Sequence, residues 1–202
     1  MDIDSTPELN LLIVEGELIL APNDSDPSHH RTFDAHYILV SGGKMQVGTE
    51  DFRYTSKITI TMHGTLTDPY LPLFGNKCIG LTNGILDMHG PIRTPTWTVL
   101  SETVNINATK ITLNEQVDWV AGEEIAIAST SFDGREAEKR TIVSIDNTVA
   151  DKPVITLDKK LDHKHFAATE TFGDKSIEIR AEVGLLSRNI VFKGDDDHTE
   201  PN

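Results

Sequence analysis

The chain has 202 residues, 38% hydrophobic and 25% charged, ordinary proportions for a globular protein with a sizeable core. A formal net charge of −14 argues against nucleic acid, whose phosphates need clustered Lys and Arg. No apolar run reaches the ~18 residues of a membrane-spanning helix, so no direct insertion into a bilayer is expected.

Residues 1–10 are polar and expected to be extended, and Met1-Asp2-Ile3-Asp4 lacks the basic and apolar regions of a secretory signal. From residue 11 the chain repeats one phrase: a short apolar or alternating run, a Gly, then a second short run. The copies are residues 11–20, 37–47, 57–66 and 78–88, aligned on Gly16, Gly43, Gly64 and Gly84. Short strands returning at one coil's length of chain predict a β-solenoid, with each Gly at the bend between two strands of a coil. Residues 22–31, with His29 and His30, read as a solvated loop between coils. Residues 67–76 carry two prolines and predict a bulky loop offering Tyr70 and Phe74 for packing. Cys78 is the only cysteine, which excludes an internal disulfide or thiolate cluster, and it reads as a small core residue.

After residue 97 the pattern changes. Residues 98–100, 110–113, 124–128, 140–145 and 154–157 are five short strand candidates, spaced as in a small antiparallel barrel or sandwich. Residues 132–140 are the best candidate for a short helical turn, with Glu136 and Arg140 at i,i+4 spacing. Residues 177–180 and 190–194 restore the strand-then-Gly phrase. The expected organisation is therefore coils over 11–97, an inserted β-rich module over 98–175, a return over 176–194 and an acidic tail over 195–202.

No HExxH motif, nucleophile elbow, phosphate-cradling loop or CxxC pair is present, and no spacing nominates two carboxylates for acid–base work. Four weaker features remain. His63 and His89 each stand in a Met-His-Gly; they either bond backbone at their turns, the plainer reading, or share an outer edge that presents ligand groups. Arg93 and Trp97 could grip a sugar carboxylate and a sugar face, although a buried Trp with Arg bonding carbonyls is the plainer reading. His163 and His165 in Asp162-His163-Lys164-His165 share a face at strand spacing, but no third ligand accompanies them and a wet turn is favoured. The run Asp195-Asp196-Asp197-His198 lacks the spacing of a calcium loop and reads as a solvated terminus. No cofactor is nominated; calcium suits the acidity but cannot be placed.

Seven stretches together resemble the eight-glycine (G-eight) domain family. They are Ile38-Leu39-Val40-Ser41-Gly42-Gly43, Gln46-Val47-Gly48-Thr49-Glu50, Ile58-Thr59-Ile60-Thr61-Met62-His63-Gly64 and Leu86-Asp87-Met88-His89-Gly90, then residues 94–98, 117–125 and 180–190. They run in the family's order over nearly the whole chain, closest to the fibrocystin-L type. The resemblance implies an all-β module of a large surface or secreted protein, leading into a pectate-lyase-like right-handed parallel β-helix. It implies an extracellular glycan or protein ligand, or a scaffold role, for a module that is non-catalytic alone. In its hyaluronan-depolymerising members the domain accompanies cleavage, so the alternative is the N-terminal part of such an enzyme whose catalytic residues lie elsewhere. A second alternative is a structural cap for a longer β-helix. The Trp- and Gly-containing lead-in of the family is missing, which reads as a truncated N-terminus. The sequons Asn23-Asp24-Ser25 and Asn107-Ala108-Thr109 fit a secreted setting. The candidate ligand-binding residues are His63, His89, Arg93 and Trp97.

Overall fold

The computed structural model describes residues 4–22, 26, 28–148 and 151–195. They form an all-β chain whose helical content, among the described residues, is one 3-10 turn. The chain divides into two compact units, Met1–Pro91 with Arg188–Asn202, and Ile92–Ser187.

In the first unit, β1 (Leu9–Val14) leads through Gly16 into β2 (Glu17–Leu20), and β3 (His30–Ser41) leads through Gly43 into β4 (Lys44–Val47). The pairs lie side by side in parallel: Leu12 beside Ile38 and Val14 beside Val40 on one sheet, Leu18 beside Met45 and Leu20 beside Val47 on the other. β5 (Lys57–Met62) and β6 (Cys78–Thr82) both pair with β3, the former along His30–Ala35 and the latter along Tyr37–Ser41. Through Gly84, β6 passes into β7 (Ile85–Met88), which extends the second sheet beside β4. Alternate apolar residues from both sheets meet in one core, including Leu20, Phe33, Ile38, Met45, Ile58 and Ile60, and Tyr54 from the connection between β4 and β5 joins them.

Three of the four aligned glycines are equivalent. Gly16 accepts from the Lys44 amide at 2.8 Å, and Gly43 from the Ile85 amide at 2.9 Å, so the bends of neighbouring strand pairs lie side by side. A Cβ on Gly43 would come within 2.5 Å of the Gly16 and Val14 carbonyl oxygens, and one on Gly84 within 2.7 Å of the Val40 carbonyl. The fourth, Gly64, does not belong to this row. Residues 57–62 and 78–82 pair with the two halves of the one strand β3, and Gly64 opens the excursion between them with φ +119. A 2.0-residue strand period cannot tell a strand that pairs along half of its neighbour from one that pairs along the whole, which is why the four phrases look alike in sequence.

The second unit contains β8 (Trp97–Val99), β9 (Lys110–Thr112), β10 (Glu124–Ile127), β11 (Glu138–Asp146), β12 (Val154–Leu157), β13 (Ala167–Phe172), β14 (Lys175–Arg180) and β15 (Glu182–Leu185). Six of these form one antiparallel sheet in the order β8-β15-β10-β11-β12-β9. The sheet curls so that its two outer strands meet at a Leu100–Leu113 bridge. Its concave side is filled by Leu100, Ile111, Leu113, Trp119, Ile125, Ile127, Ile142 and Val183. The helical turn expected over 132–140 is limited to Gly134–Glu136, because β11 already begins at Glu138. Arg140 consequently pairs with Glu138 and Asp162 rather than with Glu136.

β14 does not return to the first unit; it forms an antiparallel hairpin with β13. The return begins at Arg188, and β16 (Ile190–Gly194) runs parallel to β5, with Val191 beside Thr59 and Lys193 beside Thr61.

A polar groove on the parallel sheet

β3 and β5 bury Phe33, Ala35, Ile58 and Ile60 on one face, so their alternating residues line the other, which β16 extends. Parallel register places these residues in cross-strand rows: His30 beside Lys57, Thr32 beside Thr59 and Val191, Asp34 beside Thr61 and Lys193. These eight side chains line a shallow cavity of about 480 Å³. Its floor is threonine, with Thr59 8% and Thr61 6% exposed. The His30 ring nitrogen Nε2 lies 2.8 Å from Thr59 Oγ1. Burial pushes the His30 imidazole below its ordinary value, and Lys57 and His29 add to the effect. The lining carries two ammonium groups, Lys57 and Lys193, and one carboxylate, Asp34.

The row beyond Asp34 closes the groove at one end. His63 Nε2 lies 2.9 Å from Asp34 Oδ1, and its Nδ1 3.4 Å from Asp195 Oδ2. His36 Nε2 lies 2.6 Å from Glu8 Oε1, and the two imidazole rings are 6.0 Å apart. Asp195 also takes Lys77 Nζ at 2.5 Å and the Gly64 amide at 3.1 Å. Hydrogen bonds from the Thr65 backbone and side chain hold Asp68, beside His36, below the ordinary carboxylate range.

Of the four candidate ligand-binding residues named in the sequence, only His63 adjoins this groove, through Asp34. His89 stands after β7 on the other sheet, where its Nε2 lies 2.7 Å from Asp87 Oδ1 and Lys44 Nζ lies 3.1 Å from Asp87 Oδ2. Both histidines thus bond carboxylates rather than the backbone, and nothing places them on one edge. Arg93 lies in the second unit, where Nε donates to Asp118 Oδ1 at 3.2 Å, Nη2 to the Asp118 carbonyl at 2.9 Å, and Nη1 and Nη2 to Glu123. Glu123 foremost, and Asp118, raise its pKa, and the guanidinium serves to tie the turn before β8 to the turn before β10. Trp97 is not the buried tryptophan; it is 58% exposed on β8 opposite Gly184. The anchoring role belongs to Trp119, which is buried and donates Nε1–H to the Pro95 carbonyl at 2.8 Å.

The segment 162–165 is a wet bend only as far as Lys164, with Asp162 and Lys164 exposed. His165 is fully buried, with Nδ1 2.8 Å from the Ala128 carbonyl and Nε2 3.0 Å from Glu138 Oε1. Both ring nitrogens are occupied, so it shares no metal with His163. A second cavity, of about 520 Å³, lies over this segment among Ile106, Thr130, Ser131, Glu136, Asp162, His163, Lys164 and Phe166. Residues 196–198 of the acidic run, and Asn23 and Ser25 of the first sequon, lie outside the described residues.

Sequence reading placed His30 in a solvated loop, whereas it opens β3, and it missed Lys57, Thr59, Thr61 and Lys193. The signal was present: every second residue of 30–36 and of 57–63 is His, Thr, Asp or Lys, a hydrogen-bonding stripe that strand period alone puts on one face.

Comparison with known proteins adds the following. The family model of the G8 domain matches residues 1–101. Fibrocystin-L of Mus musculus is 38% identical over 195 residues, 95% of this chain and 4% of that protein. Fibrocystin-L of Homo sapiens is 37% identical over the same coverage. Protein rliB of Dictyostelium discoideum is 30% identical over 169 residues, 82% of this chain and 14% of that protein. The chain thus spans about 4% of the length of its fibrocystin-L relatives. Among solved structures, the Gp54 tailspike of Acinetobacter baumannii bacteriophage AP22, in complex with A. baumannii capsular saccharide, aligns over 92% of this chain and 22% of that one. The identity is 10% and the TM-score 0.31, too loose a likeness to bear on fold or function.

Proposed function

The chain belongs to the G8 domain family, and from that premise we propose that it is a ligand-binding module of a larger, fibrocystin-L-like surface or secreted protein, non-catalytic by itself, that holds an extracellular glycan in the groove of its parallel sheet. The observation that carries this reading is the in-register arrangement of His30, Thr59, Thr61, Asp34, Lys57 and Lys193 on one shallow face. Hydroxyl, imidazole, carboxylate and ammonium groups at strand spacing match the alternating hydroxyls of an extended saccharide, and parallel rungs set them at a repeat of ~4.8 Å. His63 closes one end of the site. Trp97 is an exposed aromatic platform in the second unit and stands as a separate candidate. Arg93 and His89, held by their own carboxylates, act as supports.

In this reading the two parallel sheets of the first unit are coils of a right-handed β-helix. β16, β6 and β7 form its outer edge, where Leu81, Ile85, Leu86 and Phe192 are exposed, and further coils of the parent protein stack there. The small share of the fibrocystin-L relatives that the chain spans supports a module within a longer protein.

The test is calorimetric titration of the chain with neutral and acidic oligosaccharides. Thr61→Val keeps the volume and removes the hydroxyl; with Lys193→Ala it is expected to weaken binding about tenfold, the loss of ~1.4 kcal/mol that one or two hydrogen bonds supply. Binding that survives both changes but is lost in Trp97→Ala moves the site to the second unit. Absence of binding to every saccharide overturns the ligand reading and leaves a structural cap. Release of new reducing ends from hyaluronan by this polypeptide overturns the non-catalytic reading and favours a part in a hyaluronan-depolymerising enzyme.

A further inference from the structure

We propose that Asn107 carries an N-linked oligosaccharide, an inference that rests on the secreted setting argued above. Asn107-Ala108-Thr109 is a sequon, and the fold leaves all of its chemistry available. Asn107 and Thr109 are both exposed. Asn107 sits at φ +69 in a turn tied by its own amide to the Leu161 carbonyl at 2.8 Å and by the Ala108 amide to the Asn105 carbonyl at 3.2 Å. Its side-chain oxygen Oδ1 accepts from Lys160 Nζ at 2.9 Å. That bond orients the amide, and Nδ2, the atom that takes the sugar, has no partner among the described residues.

A left-handed turn alone would account for an asparagine at this position, since Asn tolerates positive φ. It does not account for Thr109. Nearby, Thr98 donates to Glu115, Thr103 to the Ala167 carbonyl and Thr112 to Glu102. The Thr109 hydroxyl bonds nothing among the described residues, although the Thr109 carbonyl accepts from Leu157. The adjacent Ile106, 57% exposed, would be shielded by a glycan on the same turn.

In the transfer, Nδ2 of Asn107 attacks C1 of an oligosaccharide carried on a lipid diphosphate. The N–C1 bond forms, the C1–O bond to the diphosphate breaks, Nδ2 gives up one proton, and the lipid diphosphate leaves with the bonding pair. Transfer precedes folding, and the exposed turn then lets the folded unit carry the product without displacement.

The chain is expressed behind a secretion leader in a eukaryotic host, with Asn23→Gln removing the other sequon, and total cell extract and medium are both analysed. The expected result is one glycan by intact mass, released by peptide N-glycosidase with conversion of Asn107 to Asp. Thr109→Ala abolishes the glycan and Thr109→Ser retains it; neither change touches the strained position, so misfolding does not confuse the result. A bare Asn107 in the folded Asn23→Gln protein overturns the site. An Asn107 occupied in this host but bare in the native parent protein overturns the secreted setting instead.

Discussion

Glu138 shows how much one side chain can hold together in the second unit. Its Oε1 accepts from the His163 amide at 2.8 Å and faces His165 Nε2 at 3.0 Å; its Oε2 accepts from the Asp162 amide at 2.9 Å and from Arg140. Burial pushes this carboxyl up, but the Asp162 amide, His165, the His163 amide and Arg140 together outweigh it, so its pKa lies below the ordinary value. A lowered folded pKa means the stabilisation is complete above the unfolded value, near ~4.3, and is lost as pH falls through the folded one. Glu138→Gln keeps the volume but leaves the Arg140 guanidinium against a neutral amide, and is expected to cost about 3 kcal/mol in urea denaturation at pH 7. The variant should also lack the part of the acid-side stability loss that Glu138 contributes; equal acid sensitivity in both proteins would count against this account. None of this was visible in the sequence, where Asp162-His163-Lys164-His165 reads as polar and wet. Polarity reports affinity for water only until a partner of matching charge is folded against it.

At the scale of elements, the bends between paired strands decide what the first unit tolerates. Gly43 and Gly84 stand where one strand pair passes another so closely that a Cβ would strike backbone oxygens, whereas a Cβ on Gly16 meets nothing within 4 Å. Gly43→Ala is therefore expected to destabilise the protein by about 2 kcal/mol or more, because the obstructing atoms are main chain and cannot swing aside. Gly16→Ala, at an ordinary φ, should be neutral or add up to ~1 kcal/mol by restricting the unfolded chain. Thermal melts of the two variants compare them directly, and equal midpoints would contradict the stacked geometry. The recurring glycine was legible because each strand–Gly–strand phrase is local. Gly64 was misread for the same reason: its local sequence matches the others, and only the pairing of residues 57–62 and 78–82 with the two halves of β3 sets it apart.

At the scale of the whole molecule, the chain holds two separate hydrophobic cores. The second unit starts and finishes at neighbouring points: Trp97 pairs with Gly184, and the Leu185 amide donates to the Thr96 carbonyl at 2.9 Å. Residues 92–187 made alone are therefore expected to fold, with a strand-type circular dichroism spectrum, dispersed amide resonances and a cooperative melt. A disordered spectrum would show that this core needs the rest of the chain. By itself the sequence determined the all-β character, the family, five strands of the second unit and the hinge glycines, since each is written in strand period, turn residues or local motifs. The tertiary structure alone decided which strands lie in one sheet and which tryptophan is buried. It also decided that Arg93 and His89 are occupied by carboxylates while His30, Thr59, Thr61 and Lys193 share a face. Lys193 and Thr61 are far apart in the chain, and what brings them together is backbone hydrogen bonding between strands, which any residue can make and which therefore leaves no mark in the side-chain pattern.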